Sequence, residues 1–553
     1  MNIKKYFIFS PEKEDGKNDD FFISPDQHKN NNEKNSYIEN NIGDKNTYTY
    51  ETGKVSTSIK ENLGFIRSAF SMPKNFDVML REFKISAKDK KVDGFLIFYD
   101  GLVNKNFVNR DILRPIMTPS DEKMPEDPKE VTELIYNRLI TQAPLSKLKD
   151  MQQIIELVEF GCCALFVDGA DSAFVSDIKG WGTRSVSKPI TEATLSGPQE
   201  AFNETLMINI GLIRKILKDV NLVCENIPVG KKSKTPCAIM YLNGVTNRSL
   251  VKEVRRRLRG IDTDYIFSSA DIEMFIEDSP LFPLPQIIKT ERPDRAASMI
   301  SEGKVVIIVQ GSPFVLVLPA TCADLVEASE DNYVRVIEAN FMRFVRVVGI
   351  LLCLFLPASF AAAALYHHET VPTDLLFAMV ASREQMPFPV IPELLIMIIA
   401  FELIKEASIR IPDPIGSTLG IVGGLILGQA AVSAGIASPM LIIIVSIAGL
   451  GSFAVPSLSL SRSLSVLQLV FVFFAAGGGF LGIALGIFLS LIYLSSQNSA
   501  GVPFLSPLAP SEKGGAFGSV VIKPIWKKEK RPSSLKVQRE EKQPHISMKW
   551  KKG

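Results

Sequence analysis

Four ionisable side chains stand where the surrounding sequence makes charge costly: Glu393, Glu402, Lys405 and Glu406, all within the apolar segment 387–407. Ionised groups are expensive to remove from water, so inside such a segment they read as gating or coupling residues by default. The competing role is a plain ion-pair network, because Glu402, Lys405, Glu406 and Arg410 can share one helical stripe. No other constellation carries chemistry. The four histidines lack ligand spacing, and no nucleophile triad or paired acid and base stands out. The expectation is no enzyme, no metal and no cofactor. Six cysteines (162, 163, 224, 237, 322 and 353) read as buried thiols of a reducing compartment, not a disulfide framework.

Three motifs fail their own chemistry. Gly230-Lys231-Lys232-Ser233 resembles the end of a phosphate loop, but Glu225 replaces the first glycine and Lys232 the hydroxyl residue. A basic surface turn is expected there. Gly477-x-Gly479-x-x-Gly482 imitates a dinucleotide fingerprint inside an apolar helix with no strand unit before it. Arg255-Arg256-Arg257 with Arg259 lacks interleaved aromatics and reads as a solvated or partner-facing helix face, not a nucleic-acid site. Pro293 can start a helix ending at Gly303, so the stretch 290–294 is expected to fix a helix entrance.

The elements that would position these groups divide the chain. Charge-free runs cover 347–366, 415–435, 440–460 and 466–494; the first spans about 30 Å, the hydrocarbon thickness. Arg335, Arg343 and Arg346 precede the first run, which places its N-terminal end in the cytoplasm. Residues 511–553 hold 12 Lys and Arg against 4 Asp and Glu, and the rest of the chain is net acidic, which favours a membrane protein with a basic tail. With both ends inside, crossings are even in number, so four spans are expected and 387–407 is an embedded fifth element; the alternative is five spans, with 387–407 crossing fully, which the loop charges Lys405, Arg410 and Arg462 favour. On a helix over 415–435, Gly420, Gly424 and Gly428 form a packing stripe. Gly478, Gly482 and Gly486 repeat that spacing. Thr418, Val422, Leu425, Gln429 and Ser433 fall on the opposite face and are the pore-lining candidates, with Val422 and Leu425 as a dewetting constriction. The alternative for Gln429 is a hydrogen bond across a helix interface.

Upstream, helices are expected over 59–70, 104–113, from Ser146 through Phe160, over 199–218 and over 248–259. Strands are expected over 95–99, 162–167, 173–178 and 237–242, with a hairpin over 304–318 turning at Gly311-Ser312. Strands alternating with helices suggest α+β or α/β subdomains, followed by an all-α polytopic membrane domain with disordered N- and C-terminal tails. The expected divisions are 1–58 (disordered tail), 59–190 and 191–335 (two subdomains), 336–495 (membrane domain) and 496–553 (basic cytoplasmic tail). Tyr6 to Phe9 is too short an apolar stretch for a secretory signal, so the soluble half is expected to stay cytoplasmic.

The chain resembles the A subunits of bacterial spore germinant receptors of the GerA type. The resemblance rests on Pro387-Phe388-Pro389, Phe401-Glu402-Leu403-Ile404-Lys405-Glu406-Ala407, Gly428-Gln429-Ala430-Ala431-Val432 and the stretch 501–510. In the soluble half it rests on Gly197-Pro198 with Phe202, Glu204 and Asn209, and on Thr290-Glu291-Arg292-Pro293-Asp294. Gln199 and Gln310 depart from the family pattern. The resemblance implies an oligomeric, nutrient-gated ion channel of the spore inner membrane that releases monovalent cations to trigger germination. It would be a homo-oligomer in membrane lipid, acting with a transporter-like B subunit and a lipoprotein C subunit. A non-conducting scaffold subunit and a membrane transporter are the alternatives.

Overall fold

Two five-stranded sheets, built to one plan, organise residues 78–318. The computed structural model describes residues 53–86, 91–118, 125–139, 145–180, 188–384, 386–410, 428–510 and 521–543. The first sheet contains β1 (Val78–Ser86), β2 (Lys91–Tyr99), β3 (Leu145–Leu148), β4 (Cys163–Val167) and β5 (Ala173–Ser176), in the order β1-β2-β4-β5-β3. The second contains β6 (Leu222–Asn226), β7 (Cys237–Leu242), β8 (Ile288–Thr290), β9 (Val305–Val309) and β10 (Val315–Leu318), in the order β6-β7-β9-β10-β8. Position for position the two orders are the same, so the region is a structural duplication.

All these pairings are antiparallel. This corrects the α/β alternative in favour of α+β. The strands looked like parallel-sheet strands because helices cover both faces of each sheet, leaving no polar alternation. In the first lobe, α1 (Ile59–Ala69) and α2 (Met151–Glu159) supply Ile66, Ile154, Ile155 and Val158 to one face. The helical stretches around Ile112 and Val131 cover the other. In the second lobe, α3 (Leu206–Ile216) and α6 (Pro293–Ser301) cover one face, and α4 (Arg248–Arg259) and α5 (Ser269–Ile276) the other. β9 and β10 form the expected hairpin, with Leu316 opposite Ile307, but the turn lies one residue earlier than Gly311-Ser312: the Ser312 N–H donates to the Val309 carbonyl at 3.3 Å, which makes Gln310 and Gly311 (φ +87°) the central pair.

Local chemistry explains the shifted boundaries. Ser146 lies in strand β3; the helix starts later because the Asp150 side chain accepts the Gln152 N–H at 3.0 Å. The helix expected over 199–218 is limited to α3. Asn209 binds both the N–H and the carbonyl of Asn203, and so fixes a non-helical approach.

Downstream lie α7 (Val336–Leu365), α8 (Thr373–Arg383), α9 (Val390–Arg410), α10 (Pro439–Phe453) and α11 (Leu458–Ser496). Among the described residues, α7 and α11 are long and apolar enough to cross a membrane. The run 440–460 is not one helix. It is α10, about 22 Å long at 1.5 Å per residue, a break at 454–457, and the start of α11.

The run 466–494 is not one straight helix either. Gly478 (φ −152°, ψ 17°) and Gly479 (φ 57°, ψ −137°) interrupt α11, the latter in a region only glycine enters readily. The chain doubles back there. A Cβ on Gly482 would strike the Phe474 carbonyl, and one on Gly486 would lie 3.1 Å from the Phe471 and Phe474 rings. A straight helix would put Phe471 and Gly486 more than about 20 Å apart. Gly478 is therefore a bend residue, not part of a ridge, and Gly482 and Gly486 serve contact within α11 itself. A tight approach between separate helices is elsewhere. A Cβ on Gly349 of α7 would sit 3.1 Å from the Gly451 carbonyl of α10, and one on Gly451 would come closer still to the Gly349 carbonyl.

The helical layer and the second lobe share one apolar cluster. It joins Val317, Ile288 and Phe282 to Cys353, Val455, Leu460, Leu464 and Phe504. Phe282 packs edge-on against Phe504 (5.2 Å) and Tyr493 (5.5 Å). Both ends of α11 thus lie beside the lobe. Its bend meets the far end of α7, where the Tyr366 hydroxyl donates to the Ala476 carbonyl at 2.7 Å and the His367 ring packs 5.0 Å from Phe480.

The C-terminal tail, expected to be disordered, is ordered over 521–543. Arg531 Nε donates to the Ser301 carbonyl at 2.8 Å, Gln538 N–H to the Val245 carbonyl at 2.8 Å, and Val537 fills the space beside Gly303. The composition reads as disorder because this segment gains its order from the lobe it lies on. The expected N-terminal tail lies outside the described residues, apart from 53–58.

Candidate functional site

The stretch 290–294 does more than open α6. Arg292 is fully buried, and all five of its N–H donors are used. Nε and Nη2 grip the Asp294 carboxylate at 3.1 and 2.9 Å, Nη1 donates to Thr194 Oγ1 (2.7 Å) and the Glu192 carbonyl (3.2 Å), and Nη2 donates to the Pro198 carbonyl (2.9 Å). Glu291 accepts from the N–H groups of Thr191 and Glu192 and from the Thr191 hydroxyl. Arg295 pairs with Glu192 and donates to the carbonyls of Asp324 and Glu327. The motif therefore clamps the connection between the two lobes onto the N-terminus of α6.

The clamp continues toward the helical region. The Tyr333 hydroxyl donates to Asp294 Oδ2 at 2.5 Å, and its ring lies where a side chain on Gly197 (φ +105°) would sit. This explains the glycine of Gly197-Pro198. Two residues before Tyr333, Asp331 holds Arg346 by two 3.1 Å bonds and Arg343 by bonds of 3.1 and 3.4 Å. Burial opposes the charge on Asp331, but Arg346 and Arg343 hold its carboxyl below the usual range. Both arginines belong to the start of α7. Sequence reading found 290–294 and the arginines separately; it missed Asp331 and Tyr333, which join them across an unmarked loop.

A second buried pair fastens the lobes together. Arg214 of α3 grips Asp77, stacks 4.1 Å from the centroid of the Tyr99 ring and reaches Asn75. Asn75 also accepts the Cys224 N–H at 2.6 Å. The arginine run of α4 is largely ion-paired: Arg255 with Glu225, Arg256 and Arg257 with Glu253, and Arg257 also with Asp278. Lys231 and Lys232 pair with Asp262 and Asp264. The thiols are reduced and largely buried; burial pushes Cys162 up to about 11 and Cys237 up to about 12.

The charged residues of α9 sit at two levels. Glu402 accepts from Ser465 Oγ of α11 at 2.7 Å and from Lys405 Nζ at 3.0 Å, and Lys405 also reaches Ser465. Glu406 lies 3.9 Å from Arg462. These three residues thus bridge α9 to the first limb of α11. Glu393 is separate, two and a half turns away. It is 1% exposed; Oε1 accepts the Ser438 N–H at 2.6 Å before α10, and Oε2 has no hydrogen-bond partner among the described residues. Among the pore candidates, Gln429 and Ser433 are exposed on the isolated chain, and Ala431 is buried on the other side of the same turn. Gly428 makes ordinary contact with Ile442. Thr418, Gly420, Val422, Gly424 and Leu425 lie outside the described residues.

Residues 65–534 match the family described as Bacillus/Clostridium GerA spore germination protein. The chain belongs to the GerA spore germination family. It is 36% identical to spore germination protein KA of Bacillus subtilis over 484 residues, 87% of each chain. It is 37% identical to spore germination protein A1 of the same organism over 391 residues, 71% of this chain and 81% of that one. Among solved structures it is similar to the N-terminal domain of the A subunit of the Bacillus megaterium spore germinant receptor GerK3. That likeness has 26% identity and a TM-score of 0.37, covering 48% of this chain and 96% of that one.

Proposed function

We propose that this chain is a spore germinant receptor A subunit and that copies of it form a nutrient-gated channel for monovalent cations in the spore inner membrane. The observation that carries the reading is the charge retained within the helical layer: Glu393 inside an apolar cluster, and Glu402, Lys405 and Ser465 between α9 and α11. Such groups are kept where ions pass or where a gate moves. The Asp294–Tyr333–Asp331–Arg346 chain supplies a rigid link from the lobes to α7, along which nutrient-driven movement reaches the helices. A transporter-like B subunit and a lipoprotein C subunit complete the receptor in this reading. The domains follow the divisions at 190, 335 and 495.

The lobes and the C-terminal tail lie on the cytoplasmic side in this proposal. The two limbs of α11 cross separately, which returns 497–510 to the lobes; with 347–366 crossing once, the total is even when an odd number of the segments 387–407, 415–435 and 440–460 cross fully. A cysteine placed by Ser533→Cys is then labelled only from the cytoplasmic face of intact vesicles. Labelling from the outer face excludes this arrangement.

Thr418, Val422, Leu425, Gln429 and Ser433 line the path. Leu425→Ala causes cation leakage or spontaneous germination, and Leu425→Phe slows release at normal protein level. The scaffold reading takes over if both variants, and Glu402→Gln, assemble and release ions as the parent does.

A further inference from the structure

The first turns of α7 expose a row of large apolar side chains before its charge-free run begins. Ile337 (87% exposed), Phe341 (61%) and Phe344 (63%) recur at helical spacing on one face. The neighbouring Asn340 holds the C-terminal tail. Its Oδ1 accepts the Ile522 N–H at 2.7 Å, and its Nδ2 donates to the Ile522 carbonyl at 3.1 Å. This reciprocal pair fixes one point of the tail against α7, independently of the anchoring of 531–538 on the second lobe.

The tail at that point has a distinct composition. Val521, Ile525 and Trp526 are exposed, and Lys523, Lys527 and Lys530 are exposed among them. The location matters as much as the composition. Asn340 lies seven residues before Val347, about 10 Å along the helix axis from the charge-free run. Trp526 follows Ile522 by four residues, a reach of at most about 13 Å. If α7 enters a bilayer at Val347, this segment lies at headgroup level, within about one Debye length of the surface. Trp prefers this layer because its ring is amphipathic, and lysines there are drawn to anionic headgroups.

We infer that residues 521–530, pinned to α7 by Asn340, form a docking surface for anionic lipid at the cytoplasmic face of the membrane. The inference rests on the proposal that α7 spans the membrane. The positive charge selects a lipid surface over a second copy of this chain, whose remainder is net acidic but whose facing α7 stripe is apolar.

Trp526 reports on this directly. Phenylalanine at Trp181 and Trp550 leaves it as the sole tryptophan in the full-length chain. The chain is reconstituted in vesicles carrying shallow brominated phosphatidylglycerol or brominated phosphatidylcholine. Brominated phosphatidylglycerol should quench Trp526 at least about twofold more strongly, since each surface lysine favours an anionic layer roughly fivefold. Replacing Lys523, Lys527 and Lys530 with Gln should reduce this to the phosphatidylcholine level, and 1 M salt should do the same. Asn340→Ala should lower quenching in both lipids by releasing the segment. Protein that resists alkaline extraction yet shows no quenching overturns the docking surface and leaves the membrane reading intact. Equal quenching in both lipids, unmoved by the Lys→Gln changes, also overturns it. Protein that alkali strips from the vesicles overturns the membrane reading and this inference together.

Discussion

Arg292 in the second lobe and Glu393 in the helical region are both buried ionisable side chains, at 0% and 1% exposure, but they are housed differently. Arg292 has five donors and five acceptor contacts, two of them to the paired carboxylate of Asp294. Glu393 has one oxygen bonded to a backbone N–H and the other, within an apolar cluster, without a hydrogen-bond partner among the described residues. A saturated buried charge fixes one geometry, because every displacement breaks several bonds in a low-dielectric interior. A half-satisfied one leaves a site at which a change of environment is easily felt. In the proposed receptor the lobe would transmit movement rigidly, and the helical layer would hold the groups that respond to it.

The largest effect expected from this contrast is at Arg292. Arg292→Ala leaves Asp294 buried without its partner and frees the carbonyls of Glu192 and Pro198, so it should destabilise the fold by about 3–5 kcal/mol. Arg292→Lys should recover little, since an ammonium cannot match the planar fork. Thermal melting of the detergent-solubilised chain measures both, and a Lys variant that melts like the parent would show that the fork is not required.

Tyr333→Phe comes next. It removes one hydrogen bond to a charged, otherwise paired carboxylate, which costs about 1.5–3 kcal/mol. Its ring contact with Gly197 remains, so the fold should hold. If the link to Asp331 and α7 matters, germination should slow more than the loss of stability explains. A variant that is destabilised but germinates at the parent rate breaks the coupling role and leaves Tyr333 as packing.

Glu393→Gln sharpens the other half of the comparison. Gln keeps an acceptor for the Ser438 N–H and removes the charge, so stability should change by less than about 1 kcal/mol while cation release falls. Destabilisation on the scale of Arg292→Ala would instead make Glu393 a structural cap of α10.

The sequence conveyed these two sites unequally. Glu393 and Glu402 stood out because charge in an apolar run is visible without a fold. Arg292 was visible only as part of a motif, since its acceptors Thr194 and Pro198 are distant in sequence and unremarkable in type. Strands β2, β4 and β7 were legible as apolar runs, but β1 was not. Arg81, Glu82 and Lys84 interrupt it because it is an edge strand with one open side. The duplication was hidden because topology repeats where side chains do not. The α11 bend was hidden because glycines in an apolar run read equally as ridge or hinge, and only backbone geometry separates them.

A pH-dependent effect tests the seam between the lobes, where Glu159 at the end of α2 faces Asp219 after α3. Burial, then the nearby Asp219 charge, pushes the Glu159 carboxyl up to about 7, against the opposing pull of Arg214. A carboxyl raised on folding binds more protons folded than unfolded between its ordinary value and about 7. Its contribution to stability is therefore fully present below the ordinary carboxylate range and is lost as pH rises through about 7. Glu159→Gln removes this term. The variant and the parent should melt together at pH 4.5, and the variant should gain progressively up to pH 7 and hold a constant advantage above it. Carboxylates held low by arginine, such as Asp331, titrate below this window and cancel in the comparison. An advantage that is absent at pH 8, or equal at every pH, would show that Glu159 is solvated and that the lobes are not pressed together at this seam.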